Sequence, residues 1–295
     1  MIEPVGFGSN PETAADNAFQ RPDGSEDADP SRAVESLARE ESGRFGEILE
    51  AAGIEVFRFP ARSDRSTPDA VFPNNWFSTH PDGRLVLYPM RATNRRLERD
   101  PDIVAFLRGR YAPVIDLTAA EERGLFLEGT GSLVIDEHAR IVYASVSRRT
   151  SPELVRDWAD RFDYRPIVFS ARDAGGRAVY HTNVMLCLGA SFAILCEAAI
   201  EEKLDRAAVS KALYESGREV IAISREQMGA FCANALELED RSGERRLVIS
   251  QRAWCSLMPD QRAVVERWTR PLTPNLETIE TYGGGGARCM LAELW

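Results

Sequence analysis

The chain has 295 residues, of which 44% are hydrophobic and 28% charged, and it carries a formal net charge of -10 with a pI near 5.0. This composition is ordinary for a globular protein, and the length suits either two average domains or one larger unit. The acidic balance argues against a general surface for nucleic acids or anionic membranes, because such a surface needs a basic stripe. Small charged substrates stay open, since a local arginine pair can bind them within an acidic protein.

The first half of the chain predicts helices alternating with short strands. Residues 8–31 are rich in Asn, Asp, Pro, Ser and Gly, which predicts a loop. Charged and apolar residues then alternate at helical spacing over Ser31–Ala52, with Gly53 as the stop. The elements predicted next are a strand over Ile54–Phe59, a strand over Leu85–Tyr88, a helix over Arg95–Gly109 and a strand over Pro113–Leu117.

The second half repeats this order of elements. Two hairpins are predicted, Gly131–Asp136 with Ile141–Ser145 and Val184–Leu188 with Phe192–Cys196. The predicted helices are Ser151–Phe162, Asp205–Ser216, the turn Ser224–Met228 and Pro259–Arg267. Single strands are predicted over Ile167–Ser170, Glu219–Ala222, Arg246–Ser250 and Leu276–Glu280. Short strand pairs alternating with single helices predict an α/β protein of several similar units, not a doubly wound sheet, and no glycine pattern indicates a nucleotide site.

The cysteines fit neither a disulfide framework nor a zinc site, because their number is odd and no CxxC occurs. They are Cys187, Cys196, Cys232, Cys255 and Cys289. Reduced thiols suggest a cytoplasmic protein. The N-terminal residues MIEPVGFGSN have no basic and apolar signal-peptide pattern, and no stretch reaches the roughly 18 apolar residues of a membrane helix.

Cys289 is the leading candidate for a nucleophile. It closely follows Gly283–Gly286, a run of four glycines with a large entropic cost. That cost favours a place where the backbone approaches a ligand closely or offers it several N–H groups. A cysteine taken alone is more often a packing residue, as we interpret the other four. Trp76 could wall a pocket, although a large aromatic is more often part of the core.

A thiolate nucleophile needs an acid or base partner, and the chain offers three histidines. His80 and His138 are predicted to lie in exposed turns. His181 lies where an apolar strand begins, which suits either a site or a satisfied core position. Glu128 lies between apolar segments, where a carboxylate is costly to bury unless it is paired. Pairing with His181 would orient the ring, whereas the alternative for Glu128 is an exposed turn.

Four segments resemble motifs of the amidinotransferase and arginine deiminase superfamily, in the order of that family. LEGTGSL resembles its LEGGD motif, whose catalytic glutamate would be Glu128, and SRRTSPE resembles its Gly-Glu-Arg-Thr loop, whose carboxylate-binding arginine would be Arg149. YHTNVML resembles its His-x-Asp motif, with His181 as general acid and base, and GGGGARCM resembles its nucleophile motif, with Cys289. The segments NPETAADNAFQ and PDAVFPNNWFSTH are similar to the branch that includes bacterial citrulline hydrolases and dimethylargininase relatives.

The resemblance covers essentially the whole chain. It implies one catalytic domain over residues 1–295 with the pentein fold, a pseudo-five-fold α/β propeller of repeated strand-strand-helix-strand units. It also implies a small amino-acid substrate, with no cofactor, metal, nucleic acid or membrane partner, and it is compatible with a homodimer.

The chain departs from this family at two substrate-binding positions. Members that bind arginine hold the guanidinium between two aspartates, and here Asn75 and Asn183 stand in their place. A guanidinium offers only donors and favours carboxylates, whereas a neutral ureido group has both a carbonyl and N–H groups, which an amide can match. The amides therefore favour hydrolysis of citrulline to ornithine, carbon dioxide and ammonia. Asp69 counts against this preference, because it could be a carboxylate in the same pocket.

In the predicted reaction Cys289 attacks the ureido carbon, and His181, held by Glu128, protonates the leaving nitrogen and then activates water. Backbone amides near the glycines, with Asn75 or Asn183, would polarise the carbonyl. Besides Arg149, the substrate carboxylate could bind Arg95 or Arg96, although a solvated helix start is the favoured alternative for these two.

Other functions use the same scaffold. Arginine deiminase and dimethylarginine hydrolase differ from a citrulline hydrolase in substrate. Non-catalytic relatives, among them a ribosome anti-association factor, lack the Cys–His–Glu set. A papain-like protease is disfavoured because its cysteine precedes its histidine, whereas the order here is Glu, His, Cys.

Overall fold

The computed structural model describes residues 1–20 and 30–295. Of the loop predicted over residues 8–31, residues 21–29 lie outside the described residues. The segment before them contains a short helix, α1 (Pro11–Ala14), so the loop prediction is wrong there. The side chain of Asn10 caps α1 by accepting the Glu12 N–H at 3.1 Å, and proline occupies the first helical position; both features favour a helix start.

The first strand pair is parallel and brackets the first long helix. Strand β1 (Ile2–Glu3) pairs with β2 (Phe59–Pro60). Helix α2 (Pro30–Ala51) lies between them in the chain and confirms the predicted helix. The strand predicted over Ile54–Phe59 is too long, because β1 offers two residues for pairing.

The next unit contains three strands and two helices. They are β3 (Phe77–Thr79), β4 (Leu85–Leu87), α3 (Thr93–Arg96), α4 (Pro101–Arg108) and β5 (Val114–Asp116). The single helix predicted over Arg95–Gly109 is therefore two helices. Pro101 divides them, because proline favours a helix start and disfavours helical backbone in the residue before it. Asp100 caps α4 by accepting the Asp102 N–H at 2.8 Å.

The third and fourth units repeat the pattern with one main helix each. The third comprises α5 (Gly129–Ser132), β6 (Val134–Asp136), β7 (Ile141–Ser145), α6 (Pro152–Phe162) and β8 (Arg165–Phe169). The fourth comprises β9 (Leu186–Leu188), β10 (Phe192–Leu195), α7 (Lys203–Glu215) and β11 (Glu219–Ala222). Both predicted hairpins are confirmed, but each begins later than predicted. Residues 129–132 form a helical turn before β6, and a 3-10 turn spans Thr182–Val184 before β9.

The last unit ends in a helical turn where a strand was predicted. Its elements are α8 (Arg225–Gly229), β12 (Leu236–Glu239), β13 (Arg245–Val248), α9 (Gln251–Ser256), α10 (Pro259–Trp268) and β14 (Arg270–Leu272). The strand predicted over Leu276–Glu280 is wrong, since a π-helical turn spans Ile279–Gly283. Glu41 stabilises the start of this turn by accepting the N–H groups of Thr278 at 2.8 Å and Ile279 at 3.0 Å.

Four sheets of three strands share one topology within the described residues. In each, the first two strands are antiparallel, and the third returns through helical segments to lie parallel to the second. The β1–β2 pair is a separate two-stranded sheet. This arrangement confirms an α/β protein of several similar units and excludes a doubly wound sheet for the described chain.

The core lies between these small sheets and their helices. Strands β7 and β10 are buried along their whole length, as expected for strands covered on both faces. Trp76 is buried in the core. Cys255 is exposed, so the prediction that Cys255 is a packing residue is wrong. Among residues 1–20 and 30–295, no helix combines the length and the apolar character needed to cross a membrane.

Candidate active site

A narrow buried cavity brings together residues that are far apart in the chain. Cys289, His181, Arg149, Asn75 and Asp69 all line it. Glu128 contacts the cavity residue His181, and neither side chain is more than 2% exposed. The alternative of an exposed turn for Glu128 is therefore wrong.

The glycines around Glu128 allow this close packing. Gly129 has a φ of 47°, and a Cβ atom there would lie 2.2 Å from the carbonyl oxygen of Asn74. A Cβ atom on Gly131 would lie 2.7 Å from His181 Nδ1. Ser132 accepts the Glu128 N–H at 3.0 Å and completes the turn. The turn therefore holds the carboxylate against the imidazole by leaving out two side chains.

Glu128 and His181 form a buried hydrogen-bonded pair. Glu128 Oε2 lies 2.8 Å from His181 Nε2, and Glu128 Oε1 accepts the backbone N–H of Arg91 at 3.1 Å. Burial alone would raise the pKa of Glu128, but Arg149, the bond to His181 and Arg95 together lower it to about 2. This carboxyl is therefore ionised at neutral pH.

His181 is neutral in the resting protein. Burial lowers the pKa of its ring below the ordinary value of 6.5, and the opposing effect of Glu128 does not restore it because Arg149 and Arg95 add positive charge nearby. A neutral imidazole can accept a proton, and the charge of Glu128 would stabilise the imidazolium so formed.

Asn234 holds the thiol of Cys289. Its Nδ2 donates to Cys289 Sγ at 3.2 Å, while its Oδ1 accepts the N–H of Gly286 at 3.1 Å and lies 3.4 Å from that of Cys289. Asn183 Nδ2 is a second, more distant donor at 3.7 Å from the sulfur. Burial raises the pKa of the Cys289 thiol, and the bond from Asn234 offsets this only in part. The resting thiol is therefore protonated at neutral pH.

The glycine run before Cys289 packs tightly against the protein. A Cβ on Gly285 would lie 2.9 Å from the ring of Phe72, and one on Gly284 would lie 2.5 Å from Asn17 Nδ2. The carbonyl of Gly284 accepts from Tyr180 Oη at 2.6 Å and from Asn17 Nδ2 at 3.1 Å. The glycines therefore allow a close approach to side chains of the protein itself, whereas the predicted approach was to a ligand.

Asp69 presents one carboxylate oxygen without a partner. Asn10 Nδ2 donates to Asp69 Oδ2 at 2.8 Å and Thr13 Oγ1 donates to the same atom at 3.1 Å. Among residues 1–20 and 30–295, Asp69 Oδ1 is buried without a hydrogen-bond partner. The oxygen of Asn75, by contrast, is engaged by Arg95 Nη1 at 2.7 Å.

The prediction for Arg95 and Arg96 needs correction. Arg95 does not begin a solvated helix, because it is 2% exposed, lines the cavity and makes a two-point ion pair with Glu98 at 2.8 and 3.0 Å. Arg96 does not line this cavity. Its guanidinium instead donates to the carbonyl of Met90 at 2.9 Å and lies 3.4 Å from Glu121.

Arg149 lies in the cavity wall with its charge already compensated. Its Nε donates to Asp16 Oδ1 at 3.1 Å, its Nη2 bonds the same oxygen, and its Nη1 lies 3.6 Å from Glu128 Oε2. The side chain is 3% exposed.

The other two histidines lie away from this cavity. His138 is exposed, as predicted. His80 is 2% exposed, so the prediction of a solvent-facing turn is wrong. Its Nε2 lies 2.9 Å from Ser78 Oγ, and its Nδ1 lies 3.8 Å from Glu137.

Sequence reasoning missed several residues of the cavity and its surroundings. Asn234 has no motif around it that indicates a thiol contact, and Asp16 reaches Arg149 only through the folded N-terminal segment. Asn17 and Tyr180, which hold the glycine run, lie within segments that the sequence did single out, NPETAADNAFQ and YHTNVML, but neither residue was assigned a role there.

Comparison with known families gives a match along nearly the whole chain. A family model described as N,N dimethylarginine dimethylhydrolase, eukaryotic, matches residues 3–295. No curated protein matches the sequence at a significant level.

Several solved structures share the fold. The substrate-bound N-terminal domain of ArgZ, an arginine dihydrolase from the ornithine-ammonia cycle in Cyanobacteria, has 15% identity and a TM-score of 0.74, with 98% of this chain and 95% of that domain covered. AgrE bound to L-arginine has 17% identity and a TM-score of 0.74, with 98% and 39% covered. A dimethylarginine dimethylaminohydrolase adduct with S-methyl-L-thiocitrulline has 16% identity and a TM-score of 0.65, with 98% and 96% covered. The chain spans 39% of full-length ArgZ.

Proposed function

The chain belongs to the N,N-dimethylarginine dimethylhydrolase family of the pentein guanidino-modifying superfamily, and we propose that it is a cysteine-dependent C–N hydrolase whose substrate is citrulline. The observation that carries the proposal is the convergence of Cys289 and the Glu128–His181 pair on one buried cavity. An acid–base pair beside a thiol is the arrangement that nucleophilic catalysis requires.

The protonation states support a defined first step. His181 is neutral and the thiol of Cys289 is protonated, so the imidazole takes the thiol proton as the sulfur attacks the ureido carbon. The imidazolium, stabilised by Glu128, then gives its proton to the leaving nitrogen, which departs as an amine or as ammonia. The carbon stays bound to sulfur as a thiocarbamate.

The second step hydrolyses the thiocarbamate and regenerates the free enzyme. His181, neutral again, takes a proton from water, whose oxygen attacks the thiocarbamate carbon and displaces the thiol. The released carbamate decomposes to carbon dioxide and the second amine or ammonia. In total, citrulline and water give ornithine, carbon dioxide and ammonia. Asn183 and Asn234, whose amide donors lie near the sulfur, would stabilise charge that develops there.

The preference for a ureido group over a guanidinium is supported by the acceptors around the cavity. Asn75 and Asn183 are neutral, and the oxygen of Asn75 already accepts from Arg95. In the described part of the chain, Asp69 Oδ1 is then the cavity carboxylate oxygen that has no hydrogen-bond partner. A buried guanidinium cation is poorly satisfied by a single such atom, whereas a neutral ureido group needs no compensating charge.

Arginine is the second candidate substrate. The same free oxygen of Asp69 favours it, because a carboxylate is the preferred partner of a guanidinium N–H. ArgZ, which shares the fold, is an arginine dihydrolase.

We further infer that residues 1–295 form one catalytic domain in which five units surround a pseudo-five-fold axis. The four sheets of identical topology and the additional β1–β2 pair support five related units.

The direct test is a comparison of product release from citrulline, arginine and dimethylarginine at equal concentrations. We expect ornithine and ammonia from citrulline with the highest kcat/KM, and no turnover by Cys289→Ala. Faster turnover of arginine would support the second candidate. Absence of turnover with all three compounds would contradict the proposed function.

A further inference from the structure

One carboxylate, that of Asp16, bridges two arginines beside the cavity. Arg91 Nη1 donates to Asp16 Oδ2 at 2.6 Å, and Arg149 donates to Asp16 Oδ1 from Nε at 3.1 Å and also from Nη2. The Asp16 side chain is 10% exposed. Two guanidinium groups on the two oxygens of one carboxylate are the arrangement with which proteins bind carboxylate ligands.

Asp16 lies where the buried cavity meets an outer one. Arg149 and Tyr180 line both cavities, and Asp16 lines the outer cavity together with Arg148 and Arg177. The backbone N–H of Arg91 also holds Glu128, so both arginines adjoin the proposed catalytic pair. A carboxylate bound to these arginines would therefore be next to the place where the reaction occurs.

The segment that carries Asp16 is anchored independently of its carboxylate. Glu12 Oε2 accepts the N–H of Thr93 at 2.6 Å and that of Asn94 at 3.2 Å, and Asn10 donates to Asp69 at 2.8 Å. The bond from Asp16 to the arginines is therefore not needed to dock the segment. It does supply a counter-charge to Arg149, whose burial would otherwise be costly.

We infer that Asp16 is a built-in substitute for the α-carboxylate of the substrate, and that substrate binding exchanges one carboxylate for the other on Arg149. This inference rests on the proposed function, since it takes the substrate to be an amino acid. Asp16 then determines specificity: a ligand without an α-carboxylate cannot replace it, and a ligand that carries one must compete with it. Arg149 keeps a partner in both states.

Kinetics of Asp16→Asn test the exchange. The amide keeps the shape of the side chain but has no charge, so it competes less well with the substrate carboxylate for Arg149. KM for citrulline should therefore fall by about tenfold, which corresponds to the free energy of roughly one charge-assisted hydrogen bond. KM for the decarboxylated analogue, N-carbamoylputrescine, should not change. An equal change in KM for both compounds, or a rise for citrulline, would overturn the inference.

Glu12→Gln is the matched control. It removes a carboxylate from the same segment, and neither hydrogen bond of that carboxylate involves Arg91 or Arg149. KM for citrulline should not fall in this variant. A fall as large as that in Asp16→Asn would mean that loosening of the segment is the cause, and it would overturn the exchange.

A binding measurement separates this inference from the proposed function. L-Norvaline has the α-carboxylate but no ureido group, and it should slow alkylation of Cys289 by iodoacetamide at lower concentrations in Asp16→Asn than in the wild-type protein, whereas n-butylamine should show no such difference. If this result holds while no ureido or guanidino compound is hydrolysed, the proposed function fails and the exchange stands. If citrulline is hydrolysed but norvaline protects both proteins equally, the exchange fails.

Discussion

Asn234 bonds both the sulfur of Cys289 and the loop that carries it, with Nδ2 at 3.2 Å from Sγ and Oδ1 at 3.1 Å from the N–H of Gly286. A single side chain on the segment before β12 thus sets the position of the thiol and of the glycine run. The donor also acts against the effect of burial on the thiol pKa.

Asn234→Ala should therefore lower the reactivity of Cys289, because it removes both a hydrogen-bond donor to the sulfur and a bond that positions the loop carrying the thiol. We expect kcat/KM to fall by about 10²-fold, comparable to the loss of one oriented donor at a reacting centre. The pKa of Cys289 should rise further, because the donor to the sulfur is lost. The pH dependence of iodoacetamide alkylation measures this shift. An unchanged alkylation profile would mean that Asn234 does not stabilise the thiolate.

Glu128→Gln should retain the fold and lose most of the activity. The amide cannot stabilise the imidazolium, so the pKa of His181 should fall further below 6.5 and kcat should decrease on the order of 10³-fold. NMR titration of the ring and steady-state kinetics give the two values. Glu137→Gln is the matched control, because it alters the neighbour of another buried histidine, His80, away from the cavity. Comparable losses in both variants would contradict the assignment of Glu128.

Gly131→Ala should inactivate the protein by displacing side chains of the cavity. A Cβ atom there would lie 2.6 Å from Asn75 Nδ2 and 2.7 Å from His181 Nδ1, closer than packed atoms allow. We expect kcat to fall by at least about 10²-fold, because such misplacement disrupts the reacting geometry. Gly43→Ala in helix α2 is the control, since a Cβ there meets no atom of the described residues within 4 Å. Full activity in Gly131→Ala would contradict the observed packing.

Glu280 makes stability depend on pH. It is fully buried beneath the glycine run, and burial raises its pKa to about 7, an effect that Ser250 and Arg252 offset only in part and that Glu41 and Glu277 reinforce. A carboxyl whose folded pKa exceeds its unfolded value of 4.5 favours folding below pH 4.5 and loses that contribution as the pH rises to 7.

Glu280→Gln removes this ionisation. Relative to the wild-type protein, its free energy of unfolding should increase between pH 4.5 and pH 7 by about 3 kcal/mol at most, and denaturant unfolding at several pH values measures the difference. The neighbouring Glu277→Gln should give a much smaller change. A difference independent of pH would show that Glu280 does not titrate in this range.

Candidate site residues that lie in local sequence motifs could be predicted, whereas residues that reach the cavity only through tertiary contacts could not. Glu128, His181 and Cys289 stand in recognisable segments, and the alternation of strand pairs and helices could be seen in the sequence. Arg95 looked like an exposed helix start because its partner Glu98 and its contact with Asn75 exist only in the folded chain.

The errors in secondary structure and burial have the same origin. The apolar residues of Leu276–Glu280 suit a strand, but Glu41, more than 200 residues away, supplies the acceptor for a helical turn. His80 lies in a turn-like segment, yet Ser78 and the ring of Phe162 enclose it. Local propensity carries no information on such distant partners.

The central claim is that the sulfur of Cys289 bonds to the ureido carbon of citrulline during turnover. Acid quenching of the enzyme during steady-state turnover of citrulline, followed by intact-protein and peptide mass spectrometry, tests it directly. We predict a thiocarbamate adduct on the peptide that contains Cys289 and none in Cys289→Ala, which should not release ornithine. Undiminished ornithine release by Cys289→Ala would contradict the account.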